Sequence, residues 1–198
     1  MIAASARVLP GVVLGDGATV EDFCLVGVEN PGSAGAGTSI GPGALLRAFT
    51  VIYAGNEIGE RFQTGNKANV REHNRIGSDV SIGSLSVVEH HVEIGDRVRI
   101  HTQVFVPEFT VLEEDCWIGP NVVLTNAKYP RSPDVKETLQ GPIIRAGAII
   151  GANATILPGV DVGSGALVGA GSVVTRDVPP GVIAAGNPCR VLKAAPRT

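Results

Sequence analysis

Residues 70–106 read VREHNRIGSDVSIGSLSVVEHHVEIGDRVRIHTQVFV, and a branched aliphatic residue returns at every sixth position: Val70, Ile76, Ile82, Val88, Ile94, Ile100 and Val106. The period extends outward. Upstream it passes through Thr64, Ile58, Ile52 and Leu46 to Ile40, and downstream through Leu112 and Ile118 to Leu124. Two further runs keep the same step, Ile2 to Val26 and Ile144 to Val174. Gly follows the aliphatic residue repeatedly, as at Gly41, Gly59, Gly77, Gly83 and Gly95, and a small residue sits four past it at Ala44, Ala68, Ser86, Ala148 and Ala154. Six residues advance an α-helix by about 600°, which scatters the marks over different faces. A single amphipathic strand needs period two. Short strands joined by sharp corners do satisfy a period of six. Each hexad is then one side of a prism, three hexads make a coil of 18 residues, and the aliphatic marks point inward. Coils stack at roughly 4.8 Å, as parallel strands do.

The composition agrees with a narrow interior. The chain has 198 residues, 44% apolar but only 4% aromatic, so the core is built from Ile, Val, Leu and Ala. Gly and Pro, at 26 and 13, point to many turns. A formal charge of -3 with 18% charged residues argues against a generic basic nucleic-acid surface. Cys24, Cys116 and Cys189 are far apart and odd in number, which gives no disulfide framework and fits a reducing, cytoplasmic compartment. The opening run is broken by Ser5, Arg7, Pro10 and Gly11, too soon for a signal peptide's apolar core, and no apolar run is long enough for membrane insertion. There is no G-x-G-x-x-G and no P-loop.

The period breaks twice. Val26 and Ile40 are 14 residues apart, and the excess around Pro31 to Thr38 reads as a loop thrown out of the prism. Leu124 and Ile144 are 20 apart, and the segment NAKYPRSPDVKETLQG is too polar to be wall. Insertions in a solenoid map to loops and often border a binding face. After Arg176 the repeat dissolves at Pro179 and Pro180. The expected organisation is a β-helix over residues 1–178, with loops 31–38 and 127–142, and a tail over 179–198 that packs back on the last coils.

A coil of 18 converts sequence spacing into contact. Glu72, His90, Glu108 and Asn126 form one column, and His73, His91, Phe109 and Ala127 the next, with neighbours about 5 Å apart. Glu72, His90 and Glu108 are expected to form a carboxylate–imidazole–carboxylate ladder on the edge from which the long insertion leaves. Acyl transfer to an amine needs a proton acceptor and a group that positions the amine or stabilises the developing oxyanion. A histidine held by a carboxylate suits the first task. His90 and Glu108 are therefore catalytic candidates with Asn126, while Glu72 and His73 are substrate-binding candidates. His101 falls on another side of the prism, and the Asn74 amide is placed to satisfy a turn carbonyl.

The [LIV]-G-x4 pattern over residues 8–178 resembles that of the hexapeptide-repeat acyltransferases. The resemblance implies an all-β, left-handed parallel β-helix of hexapeptide repeats with a protruding loop and a short C-terminal tail, an exception to the right-handed crossover rule. The stretch VVLTNAKYPR, residues 122–131, resembles the V-x-F-T-N-x-x-x-P-R segment of nucleotide-sugar N-acyltransferases acting on 3-amino sugars, with Leu124 where Phe is common. FQTGNKANVREHNRIGSDVSIGSLSVVE, residues 62–89, is similar to segments of many hexapeptide transferases. This resemblance implies an acetyl-coenzyme A-dependent N-acetyltransferase acting on a nucleotide-linked amino sugar, with Asn126 at the acceptor amine. Lys128, Tyr129 and Arg131 would bind the acceptor, Arg131 through its planar fork on a phosphate or carboxylate. Some members of that group have no evident protein base, and the departing sulfur takes the proton.

The family's coenzyme A groove lies between subunits of a homotrimer. By position, Gly151, Ala152, Gly169 and Ala170 would admit the pantetheine arm, and Arg176, Arg190 and Lys193 would meet its phosphates. The tail AGNPCRVLK resembles the G-N-P-A-[RK] closure of this family, with Cys189 in place of Ala. No required metal is expected. Competing readings are O-acetylation of a sugar or serine, a zinc-dependent β-helical carbonic anhydrase using some of His73, His90, His91 and His101, and a noncatalytic trimeric scaffold.

Overall fold

The computed structural model of the chain describes residues 1–196. Arg197 and Thr198, the end of the expected tail, lie outside the described residues. The hexads form a left-handed parallel β-helix with three sheets. The first sheet has nine strands, from Arg7–Val8 to Val173–Val174, the second eight, from Val12–Leu14 to Asp161–Val162, and the third ten, from Thr19–Val20 to the C-terminal tail. Asn69 pairs with Val87 and Val70 with Val88, so one coil is 18 residues, as the spacing requires.

Most strands are only two residues long. In Val87–Val88 the second residue is buried and the first faces out, the alternation expected of a pleated strand. Each corner then turns through a residue at positive φ, such as His73 at 59°, His91 at 57° and Phe109 at 64°. The left-handed region strains an L-residue. It is held by the backbone hydrogen bonds that each coil makes with the next, for example Glu89 N to Val106 O at 2.9 Å.

The residue after the turn points inward and is buried, which explains the small or amide residues there. Asn74 Nδ2 donates to Arg71 O at 2.8 Å, and its Oδ1 accepts from Val92 N at 2.7 Å. The one polar exception in the central aliphatic series, Thr64, accepts from Arg47 N at 3.0 Å and shares a 2.8 Å hydrogen bond with Thr50. The interior also contains one fully buried ring, Phe62, at a corner where the residue one coil earlier is Ala44.

Both breaks in the period occur where the chain passes from the first sheet to the second. The first lies between strands Leu25–Val28 and Thr38–Ile40, slightly wider than the expected loop, and the second between Val123–Leu124 and Ile143–Ile144. The tail is a hairpin. Val182–Gly186 adds in parallel to Leu167–Val168, and Cys189–Ala194 folds back antiparallel, extending the third sheet. Among the described residues no helix is long and apolar enough to cross a membrane.

Candidate active site

The corner between the first and second sheets carries both expected columns. His90 Nε2 lies 3.2 Å from Glu108 Oε1. Asn126 Nδ2 donates to Glu108 Oε2 and, at 3.4 Å, to Glu108 O. Asn126, Glu108 and His90 are therefore joined across three successive coils. Both amide hydrogens of Asn126 face Glu108, so its free group is Oδ1, an acceptor. In the adjoining column His73, His91 and Phe109 follow one another as tilted rings, with centroids 5.4 and 6.0 Å apart and interplanar angles of 37° and 33°. His90 Nδ1 lies 2.8 Å from His91 Nδ1 and links the two columns.

Glu72 departs from the expected ladder. Its carboxylate is turned to Arg71, whose Nε and Nη2 donate to it at 2.8 and 3.0 Å, and the Asn30 side chain also favours its charged form. Arg71 also reaches Glu89 at 3.3 Å and packs 5.1 Å from the centre of the Tyr53 ring. The reason is proximity: the adjacent guanidinium offers two charge-assisted hydrogen bonds to the same carboxylate. Burial pushes the Glu72 pKa up, but Arg71 and then Asn30 outweigh it and hold the carboxyl down to about 2. A depressed carboxyl contributes stability above its ordinary value of 4.5 and loses it as pH falls toward about 2. For a largely buried group this interval is worth on the order of 3 kcal/mol. Glu72→Gln is expected to lower stability at pH 7 and to flatten its dependence on pH between 5 and 2.5 (approximate bounds). Urea midpoints across that range check this, and identical pH profiles for the two proteins would contradict it.

The first loop belongs to the site, which the spacing did not indicate. His73 Nε2 lies 2.8 Å from Gly32 O, and Asn30 holds Glu72. Loops 29–37 and 125–142 thus rise from the same corner at two levels, with the histidine stack between them. A recess of about 380 Å³ opens there, lined by Gly55, His73, Asn74, Arg75, His91 and Glu93 among others. His90 and Glu108 are not on its lining. Burial, and then the neighbouring His90 and His73, push the His91 pKa down, so this ring is neutral near pH 7.

The long loop leaves immediately below Asn126, and Gln140 N returns to Asn126 O at 2.9 Å. Lys128 Nζ lies 5.8 Å from the centre of the Tyr129 ring, and both border a recess of about 320 Å³ with Asp134, Thr138 and Gln140. Arg131 is exposed on the same loop.

Glu89, His90 and Glu108 present ligand atoms within 4.8 Å of one another, the only such metal-ligand group among the described residues. Arg71, already paired with Glu89, places a positive charge where a cation would sit. His73, His90 and His91 bond and stack with one another, and His101 is stacked on Trp117 at 4.4 Å on the third sheet. The three cysteines are buried and unpaired. Burial pushes the Cys116 thiol up to about 12 and raises that of Cys189, so neither is an activated nucleophile.

Comparison with known proteins agrees with this architecture. The family described as bacterial transferase hexapeptide (six repeats) matches residues 75–108 and 141–176. The solved structure of LpxA, a UDP-N-acetylglucosamine acyltransferase from Bacteroides fragilis, superposes with a TM-score of 0.65 at 18% identity, covering 98% of this chain and 74% of that one. The fold is that of the hexapeptide-repeat acyltransferases. Among sequences, the Saccharomyces cerevisiae protein YJL218W is 36% identical over 123 residues, 59% of this chain and 57% of that protein. The galactoside O-acetyltransferase of Escherichia coli is 39% identical over 93 residues, 44% of this chain and 46% of that enzyme. This chain therefore spans about half the length of those curated relatives.

The hexapeptide prism separates the remaining expected residues. Gly151, Ala152, Gly169 and Ala170 follow strands Ile149–Ile150 and Leu167–Val168, at the corner between the third and first sheets. That corner is one full side of the prism from Asn126. The stacking of coils itself demands small residues there. A Cβ on Gly119 would lie 2.8 Å from Ala152 N, and one on Gly151 would lie 2.5 Å from Ala170 N. Arg176 is different: the register Leu124↔Ile156↔Val174 puts it in the column of Asn126, two coils further on. Arg190 and Lys193 lie on the terminal strand Cys189–Ala194.

Proposed function

We propose that the chain transfers an acetyl group from acetyl-coenzyme A to the amine of a nucleotide-linked amino sugar, with a 3-amino sugar as acceptor, in the synthesis of a surface polysaccharide or glycoside. The observation that carries this reading is the line of Asn126, hydrogen-bonded to Glu108, and His90, 3.2 Å from Glu108 Oε1, beside the long loop. The free acceptor of Asn126 suits an amine N–H and does not suit an oxyanion. His90 and Glu108 provide proton-transfer groups at the same corner. Lys128, Tyr129 and Arg131 on the long loop, and Arg176 further along the column, supply cations and a ring for the nucleotide.

Coenzyme A is held along the corner of Gly151, Ala152, Gly169 and Ala170, with Arg190 and Lys193 at its phosphates. Because that corner and Asn126 lie a prism side apart within one chain, one active site uses two chains. A homotrimer with sites between subunits meets that requirement. No required metal takes part.

The experiment is a thioester-consumption screen with acetyl-coenzyme A and a panel of UDP- and dTDP-linked amino sugars. Thiol release that depends on the amino sugar supports the proposal, and none with any amine acceptor overturns it. The similarity to the galactoside O-acetyltransferase favours one second reading, transfer to a sugar hydroxyl. It predicts turnover with neutral galactosides in the same screen.

A further inference from the structure

We infer that a trough on the corner between the third and first sheets, bounded by Arg47, Arg99 and His101, binds the diphosphate group of a phosphorylated ligand. The trough lies one prism side from Asn126 and does not depend on the acyl-transfer reading of that corner. Arg47, Gly65, Gly83 and His101 succeed one another at steps of 18 residues, so they form one column over four coils. The two glycines have no side chains, and a Cβ on either would collide with the next coil, at Ser84 N for Gly65 and at His101 C for Gly83. Stacking therefore keeps the middle of the column bare, with Arg47 standing at one end and His101 at the other. The volume is about 310 Å³.

The walls carry donors and no carboxylate. Gln63, Ser81 and Arg99 face outward in register along one side, and Ser84 and Thr102 stand on the other. No Asp or Glu lines the trough. Arg99 is exposed, and among the described residues no carboxylate pairs with it; Asp96 and Asp115 go to Arg97 instead. Arg47 shares its charge with Glu21 at 3.1 Å. His101 Nε2 is buried and has no hydrogen-bond partner among the described residues, and its ring is set against Trp117 with centroids 4.4 Å apart. Burial and then Arg99 push the His101 pKa down, as an uncompensated cation beside an imidazole does.

These groups suit a diphosphate better than other ligands. A guanidinium holds a phosphate through two parallel N–H donors, and hydroxyl and amide groups satisfy the remaining oxygens. Two bare coils open about 10 Å along the prism, at roughly 4.8 Å each, which is longer than a single phosphate. A cation would face the free charge of Arg99, and an apolar ligand would leave the donors of the walls without partners. A nucleotide-linked sugar and coenzyme A both carry a diphosphate, so one site chemistry has two sources.

Calorimetric titration of the protein with inorganic pyrophosphate, UDP and coenzyme A, at low ionic strength, tests the site. Pyrophosphate is expected to bind and to shift the NMR signals of the His101 ring, while those of His73, His90 and His91 stay in place. Arg99→Ala is expected to weaken pyrophosphate binding by about tenfold or more. Thr102→Glu sets a carboxylate into the opposite wall and is expected to abolish it. Both positions are exposed, so the unliganded variants are expected to melt as the wild type does.

Whichever of UDP and coenzyme A loses affinity in step with pyrophosphate is the source of the diphosphate. The inference is overturned if pyrophosphate does not bind, if neither substitution weakens it, if neither UDP nor coenzyme A follows it, or if the ring shifts fall at the corner of His73, His90 and His91. A protein that binds pyrophosphate as stated yet transfers no acetyl group loses the acyl-transfer reading and keeps this site.

Discussion

Asn126→Ala is expected to lower kcat/KM for the amino-sugar acceptor by about 10²- to 10³-fold while leaving the fold intact. Two losses combine. The amine loses the Oδ1 acceptor that holds it, and a misplacement of about 1 Å at a reacting centre is enough for roughly a hundredfold. Glu108 Oε2 also loses its donor, and the carboxylate behind His90 becomes free to turn away. Asn126 is only partly buried at the surface of the corner, so thermal stability is expected to change little. Asn126→Asp is a sharper probe. It keeps an acceptor at the same place but sets a carboxylate against Glu108, and like charges in contact disfavour one another. Steady-state kinetics with the best acceptor from the screen check both variants. If Asn126→Ala retains wild-type kcat/KM, Asn126 is not at the amine.

The second large effect is on stability. Phe62→Ala is expected to cost about 3–5 kcal/mol. Phe62 is fully buried in an interior otherwise filled by aliphatic and small polar side chains, and its neighbours one coil away are Ala44 and Val80. Neither reaches into the space the ring vacates, and the flanking backbone is fixed by coil-to-coil hydrogen bonds such as Leu45 N to Phe62 O at 2.8 Å. The void therefore stays open, which is the costly case. In a solenoid each coil contacts only its neighbours, so the loss weakens the early coils first. Hydrogen exchange is expected to quicken in the strands around residues 45–82 before those after residue 143. Uniform acceleration along the chain would contradict that nearest-neighbour picture.

The prism was legible because the period of six survives any choice of side chains at the intervening positions. The step from Asn69 to Val87 follows from counting alone. The column of His90, Glu108 and Asn126 follows from the same count. What counting does not give is the direction in which a long side chain turns. Glu72 occupies the predicted rung and yet pairs with Arg71, its neighbour in sequence. The link between the two columns depends on a contact between two ring nitrogens, and the place of the first loop on Asn30 and the Gly32 carbonyl, which carry no period. The corner occupied by Gly151 and Gly169 was within reach. Once the extra residues of the long loop are subtracted, they fall two and five hexads beyond that of Asn126, hence on another corner.

The central claim is that the amine-bearing substrate lies at the corner of the first and second sheets, beside Asn126. The most direct measurement is a crystal structure of the protein with coenzyme A and the nucleotide-linked amino sugar selected by the screen. The amine nitrogen is expected within about 3.2 Å of Asn126 Oδ1. A sugar bound instead along the third sheet, beside His101 and Trp117, with the Asn126 corner filled only by solvent, would contradict the account.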